Sequence, residues 1–458
     1  MNRLPFPAQA AALLVLLLLA VALPPSAPAA ELTHWVALPM LAAPHGVLLA
    51  GDEAELRAAI LAANAATGRP RIELTADIVL NAPLPPLDNT TRAAGVFNGA
   101  GYTLDGDGHG PILTVAADTR VIFEDLIITG GGQPEGATVC GGAALVRGEA
   151  KFDRVRLEGN SAGRGGALCI LGSGSITIDH SVVAGNSAAE GGGVFVRVED
   201  GGGAILSVYD STFEGNRAAG LGGAIHVTAW EGNAFTYIGG STLHGNTAAG
   251  GAGLYNSGNA QAWDSAIDPG FATASVQNST FSGNVAAAYG GAIANLSYLP
   301  EVPVPPRRRA TPTPPALGFG EIELLYVTIT ANAAARGSGV FNYEDAILIA
   351  GRSILAGNDP GGDCWRPVTE SRGYNLDGDG SCGLEDPADL PEGSADLLPL
   401  APNAPGQTAT HALGPASDAR DRIPDTEPGC NEPGWDFDQR GVPRPQGPQC
   451  DIGAFEAE

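Results

Sequence analysis

Residues 210–227 read D-S-T-F-E-G-N-R-A-A-G-L-G-G-A-I-H-V, and variants of this phrase fill the middle of the chain. A Ser-Thr-Phe stub leads to Gly215-Asn216, a small-residue patch follows, and Gly222-Gly223 opens a new apolar run. Aligned on that Asn, the phrase recurs at Asn160, Asn186, Asn216, Asn246, Asn284, Asn332 and Asn358, with spacings of 26, 30, 30, 38, 48 and 26. Ile127-Ile128-Thr129-Gly130-Gly131 reads as an earlier rung with Gly in the Asn place. Two insertions, 257–273 and the Pro-rich 296–320, account for the long spacings. Without them the period returns to 26–30 residues, that of a solenoid.

Counting back from each Asn yields the interior. Leu206, Val208, Ser211 and Phe213 have equivalents in Ile176, Ile178, Ser181, Val183 and in Ala274, Val276, Ser279, Phe281. Alternation holds within each pair and slips once between pairs, the pattern of two short strands joined by a one-residue bend. Ala224, Ile225 and Val227 begin a third strand. The expectation is an all-β, right-handed parallel β-helix solenoid with three short strands per coil. Stacked coils place equivalent residues about 4.8 Å apart. Asn at one bend can then hydrogen-bond along the stack and tolerate a left-handed bend, while the Gly pair supplies positive φ at the next corner. A leucine-rich repeat shares the period and an Asn but needs an L-x-x-L-x-L phrase that these rungs lack. The nonapeptide calcium β-roll has too short a period.

Composition agrees with this class. The 65 Gly without a three-residue period exclude collagen, and 44% hydrophobic residues can fill an interior. A net charge of -26 argues against nucleic acid or an anionic membrane surface as partner. Arg3, the apolar run 10–23 and the small residues around Ala29 and Ala30 read as a secretory signal peptide over 1–30, and no later run reaches spanning length. Six cysteines then fall in a disulfide-permissive compartment. Cys364 with Cys382 and Cys430 with Cys450 are local pairings, and Cys140 and Cys169, about one rung apart, could bridge neighbouring rungs.

Around the ladder, 31–102 reads as a lead-in with a capping helix and strand. Residues 52–64 put Leu56, Ile60 and Ala63 on one face, with Asp52 as N-cap and Glu55 completing a capping box. Residues 71–80 read as strand. A helix there would cover the open end of the stack, which repeat arrays need. The β-helix is expected over 103–358, and 359–458 reads as a loop-rich, disulfide-braced C-terminal cap.

The pairing of G-G-A-[IL] (Gly166-Ala167-Leu168, Gly223-Ala224-Ile225, Gly291-Ala292-Ile293) with F-x-x-N (Phe213 to Asn216, Phe281 to Asn284) resembles the repeats of chlamydial polymorphic outer-membrane proteins and of bacterial pectin-lyase-like β-helix proteins. The run A-E-L-R-A-A-I-L-A-A-N is similar to the start of CSLREA-domain proteins. D-Q-R-G at 438–441 and D-I-G-A-F-E at 451–456 resemble the choice-of-anchor Q region. These resemblances imply a surface-associated β-helix protein; the fold itself hosts adhesins, lyases, hydrolases and spikes. No autotransporter barrel, sorting motif or terminal helix is read here, which puts direct membrane anchoring in doubt.

Chemistry is sought where the chain departs from the phrase. Six residues before each Asn stands a bend occupied in turn by Asp125, Arg154, His180, Asp210, Gly240, Asn278, Tyr326 and Arg352. Stacking puts the first four in one outward column with Asp153 and Asp179 beside it, groups that a polysaccharide lyase or glycoside hydrolase could use. Asp, Asn and Gly also favour bends for backbone reasons. Asn375, Asp377, Asp379 and Asp386 imitate a calcium loop, and a disulfide-tied turn at Cys382 is the competing reading. No cofactor is required, and calcium is the one ion this loop suggests. Trp230, Trp263 and Tyr298 on loops could stack on sugars or cover the core. The expected role is adhesive, glycan-binding or structural, at the cell surface or secreted into the outer envelope, with an extracellular glycan or surface macromolecule as partner. A lyase or hydrolase acting on an acidic polysaccharide is the alternative.

Overall fold

The computed structural model describes residues 46–91, 94–132, 140–198, 201–259, 270–298, 320–343, 345–432 and 436–458. The signal-peptide stretch, most of both insertions and Trp263 lie outside the described residues. The chain winds into a right-handed parallel β-helix in which every pairing between named strands is parallel. One coil shows the logic. Gly203–Tyr209 lies in a first sheet and Thr212–Glu214 in a second. Arg217–Ala218 adds to a short sheet, and Ile225–Ala229 to a third long one. The chain then steps up one layer, and Gly232–Gly239 pairs with Gly203–Tyr209.

The expected interior is the observed one. Leu206, Val208, Ser211 and Phe213, with their counterparts two coils either way, are buried, each large apolar side chain contributing about 1.5–3 kcal/mol. Phe97, Phe123 and Phe152 stack inside the N-terminal coils at 5.8 and 4.9 Å. The coil differs from expectation in one respect: from Ser161–Arg164 to Val285–Tyr289 the small-residue patch after the Asn is itself a strand, giving a five-stranded fourth sheet. Its backbone pairs while its side chains alternate only weakly in burial, so hydrophobic period gave no sign of it.

The Asn ladder forms from Asn160 to Asn358. Asn160 donates from Nδ2 to Asn186 Oδ1 at 3.1 Å, and the chain continues through Asn216, Asn246, Asn284 and Asn332 to Asn358 at 2.9–3.0 Å. Each carbonyl also accepts the backbone N–H of the preceding Asn, and Gly131 N–H heads the column on Asn160 Oδ1. The left-handed bend, however, belongs to the residue before the Asn, such as Gly215 (φ 61°), leaving the Asn side chain free to turn inward. Gly222 (φ 70°) turns the next corner as expected. Two further columns accompany it. Ser181, Ser211, Ser241 and Ser279 hydroxyls each accept the N–H of the residue one coil below, and Asn256, Asn295 and Asn342 form a second amide ladder.

The helix Glu53–Ala65 is capped by Asp52, which accepts from Glu55 N–H at 2.9 Å, and buries Leu56, Ala59, Ile60 and Ala63. The strand Val47–Ala50 precedes it and pairs with Arg71–Leu74, so the first sheet begins on the N-terminal side of the helix. The three expected disulfides are present: Cys140–Cys169, Cys364–Cys382 and Cys430–Cys450. The loop-rich C-terminal region follows Leu390–Pro391, the last strand of the second sheet. It folds back along the flank of that sheet rather than ending over the stack. Thr242 donates to Ala409 O, Thr280 to Gln439 Oε1, and Thr328 Oγ1 accepts from Ala454 N–H. Among the described residues no helix is long and apolar enough to cross a membrane.

Candidate functional site

The bend six residues before each Asn is left-handed in all eight coils, with φ between 41° and 62° at Asp125, Arg154, His180, Asp210, Gly240, Asn278, Tyr326 and Arg352. The conformation costs an L-residue about 1–2 kcal/mol, and it throws the side chain outward while the next residue, Ser181 or Ser211, turns into the core. One outward column therefore exists as the spacing predicts. It divides into two halves of different character.

The N-terminal half faces solvent and is a continuous charge ladder. Arg154 Nε lies 2.8 Å from Asp125 Oδ1, and its Nη1 bonds Asp153. Lys151 Nζ reaches Asp179 at 2.8 Å, His180 Nδ1 lies 2.7 Å from Asp179 Oδ1, and His180 Nε2 stands 3.8 Å from Asp210. The hydrogen bond from Arg154 lowers the Asp125 carboxyl, while burial raises that of Asp210. Asp153, Asp179 and His180 are close enough to share an ion, but Arg154 and Lys151 already hold both carboxylates.

The C-terminal half is covered. Gly240 O accepts from the Thr408 hydroxyl at 2.8 Å, and Arg444 Nη2 approaches Asn278 Oδ1 at 3.4 Å. Tyr326 donates its hydroxyl to Gly429 O at 2.6 Å, and Arg352 donates to Pro428 O. The guanidinium of Arg444 sits 4.2 Å over the Tyr326 ring and pairs with Glu456 at 2.8 Å, both side chains fully buried. The D-Q-R-G and D-I-G-A-F-E segments meet here. Asp438 holds Arg440 at 2.7 Å and accepts Glu456 N–H, and Arg440 lies over Phe455 at 3.5 Å. A sequence signal for this existed: outward positions of the second sheet change from Arg156, Glu158 and Glu214 to Thr242, Thr280, Ser282, Thr328 and Ile354, of which the latter set is buried.

The expected calcium loop does not assemble as read. Asn375 is buried in the serine column. Its Oδ1 accepts Ser353 N–H and its Nδ2 donates to Ala350 O, Ser371 and Asp389, so the amide is engaged in bonds between coils. Asp386 accepts the N–H of Ala388 in its own turn. Asp377 and Asp379 are instead brought together with Asp363, one carboxylate oxygen from each lying within 4.8 Å of the others. Burial pushes the Asp363 carboxyl up to about 7 and raises that of Asp377, with the neighbouring carboxylates adding to both.

Of the aromatic candidates, Trp230 is half-buried with Arg197 stacked 5.1 Å over its ring. The backbone of Tyr298 ends the strand Ile293–Tyr298, and Trp263 lies outside the described residues. The structure adds another aromatic group. Tyr209, Phe235 and Tyr237 occupy outward positions of adjacent first-sheet strands, Tyr209 and Tyr237 with centroids 5.1 Å apart. Tyr209 is in register with Asp179 and immediately precedes Asp210, so the rings adjoin the open half of the column. Strand alternation alone places them outward.

Two segments, 210–228 and 278–296, match the Chlamydia polymorphic membrane protein repeat. They cover the opening phrase and its counterpart two coils on, so the likeness lies in the coil-forming residues: Phe213 and Phe281 in the core, Asn216 and Asn284 in the ladder, Gly223 and Gly291 at the corner. No curated protein and no solved structure matches the chain.

Proposed function

We propose that this is a secreted or cell-surface β-helix protein of the outer envelope, with an adhesive role in which the open flank binds a glycan. The observation that carries the reading is the strip of Tyr209, Phe235 and Tyr237 on an open parallel sheet, beside hydrogen-bonding groups at Asp179, His180 and Asp210. Flat rings with polar neighbours suit sugar faces and hydroxyls. The repeat it shares with polymorphic membrane proteins agrees with a surface location.

The enzymatic alternative rests on the same column. A glycosidase needs two carboxylates whose environments separate their protonation states. Here Asp125, Asp153 and Asp179 each have a basic partner within salt-bridge distance. Asp210, raised by burial, is the acid a hydrolase would have to use. On a glycan array, the wild-type chain is expected to bind, with Tyr209→Ala and Tyr237→Ala weakening binding at least tenfold. Release of reducing ends or unsaturated uronates, with or without calcium, that disappears in Asp210→Ala or His180→Ala would replace this reading with the enzymatic one.

A further inference from the structure

The Asn ladder ends on an acid. Asn358 donates from both its backbone N–H (3.0 Å) and its Nδ2 (2.7 Å) to Asp363 Oδ1. Seven stacked amides therefore point their donor ends at one carboxylate, from Asn160 to Asn358. The other oxygen, Asp363 Oδ2, is buried and has no hydrogen-bond partner, in a residue only 1% exposed. A buried carboxylate oxygen without a partner is unfavourable unless a proton or a cation meets it.

What Oδ2 faces is informative. A Cβ built on Gly378 would come within 3.1 Å of it, so Oδ2 abuts the backbone between Asp377 and Asp379. Asp377 is itself fully buried, and its two oxygens accept the N–H groups of Asp379 (3.2 Å) and Cys382 (2.8 Å). Asp379 Oδ2 accepts Asp363 N–H at 3.1 Å, and Asp379 is exposed to solvent. Among the described residues no Lys or Arg pairs with any of the three in an ion pair. The Cys364–Cys382 disulfide ties together the two segments that carry the acids.

We propose that Asp363, Asp377 and Asp379 bind one calcium ion, with Asp363 Oδ2 as the buried ligand and Asp379 at the solvent-facing entrance. Calcium takes oxygen ligands at roughly 2.3–2.6 Å, so two ligands on one ion stand at most about 5 Å apart. The observed spacing of no more than 4.8 Å lies within that limit. Three carboxylates supply a hard, anionic donor set, and water fills the remaining positions through the open side at Asp379. The ion would clamp the last turns of the stack where the ladder stops, together with the adjacent disulfide. This site replaces the consecutive-loop arrangement with one that joins two coils, and it does not depend on what the open flank binds.

The test is calorimetric titration of calcium chloride into the full, oxidised chain after removal of metal with a chelator, with thermal unfolding followed in parallel. Wild type is expected to take up one ion per chain and to melt at higher temperature in calcium than in chelator. Asp363→Asn keeps an amide oxygen to accept from Asn358. It should weaken binding more than tenfold and abolish the calcium-dependent shift, as should Asp379→Asn at the exposed edge should the Asp363 variant fold poorly. Asp386→Asn should leave both unchanged. No heat and no shift for wild type at millimolar calcium, with Asp363 carried as a neutral acid, would overturn the proposal. So would uptake that survives in both Asp363→Asn and Asp379→Asn.

Discussion

The two halves of the bend column share a backbone and differ in everything built upon it. At Arg154 the side chain is 52% exposed and its partner Asp125 40%; at Tyr326, in the same left-handed bend five coils on, the ring is sealed under Arg444, whose pairing with Glu456 is fully buried. The bend itself therefore decides only the direction of a side chain. Whether that side chain is available for a ligand depends on what chain returns to cover it. The C-terminal region returns to coils from Gly240 onward and leaves Asp125, Arg154, His180 and Asp210 open, which is why the proposed binding flank lies in the N-terminal half.

The contrast can be broken most directly at its two arginines. Removing one member of a buried pair leaves the other charge without compensation, a loss of about 3–5 kcal/mol. An exposed pair contributes roughly 0–1 kcal/mol. In denaturant unfolding, Arg444→Ala should lose stability on the first scale and Arg154→Ala on the second; equal losses would mean that the C-terminal seam is not what separates the halves. A finer cut is Tyr326→Phe. It removes the 2.6 Å hydroxyl bond to Gly429 O while keeping the ring under Arg444, and should cost about 1 kcal/mol, with faster protease cleavage of the region after Pro391.

The smallest effect is a pH slope. His411 sits in the seam, its Nε2 2.8 Å from Ser282 Oγ and its Nδ1 2.6 Å from Leu398 O, and burial holds it below its ordinary value. As pH falls below about 6.5, the unfolded chain binds a proton that the folded chain refuses. Stability is then full above that pH and is lost as pH drops. Asp451 and Glu456, raised by burial, act in the opposite sense, so the measurement is the difference between wild type and His411→Gln. Wild type should lose more between pH 7 and 5, and identical slopes would remove His411 from the seam.

The sequence alone determined the coil. Period, the inward sets around Phe213, the amide ladder through Asn216 and the corner at Gly222 all follow from contacts between a residue and its counterpart one rung away, so a repeat displays them in its own spacing; Cys364–Cys382 and Cys430–Cys450 were legible instead as local pairings. The serines stand in those same inward sets, and the structure adds their hydrogen bonds along the stack and the second amide column at Asn256. The fourth sheet was not legible, since backbone pairing of Ser161–Arg164 and Ser187–Glu190 needs no apolar alternation. Only the tertiary structure decided the sites. Thr242 meets Ala409 across 167 residues, Gln439 meets Thr280 across 159, and Asp363 meets Asp377 and Asp379 because a coil closes between them. Such contacts join segments that share no period, and a pattern read along the chain carries no record of where a non-repeating segment will come to rest.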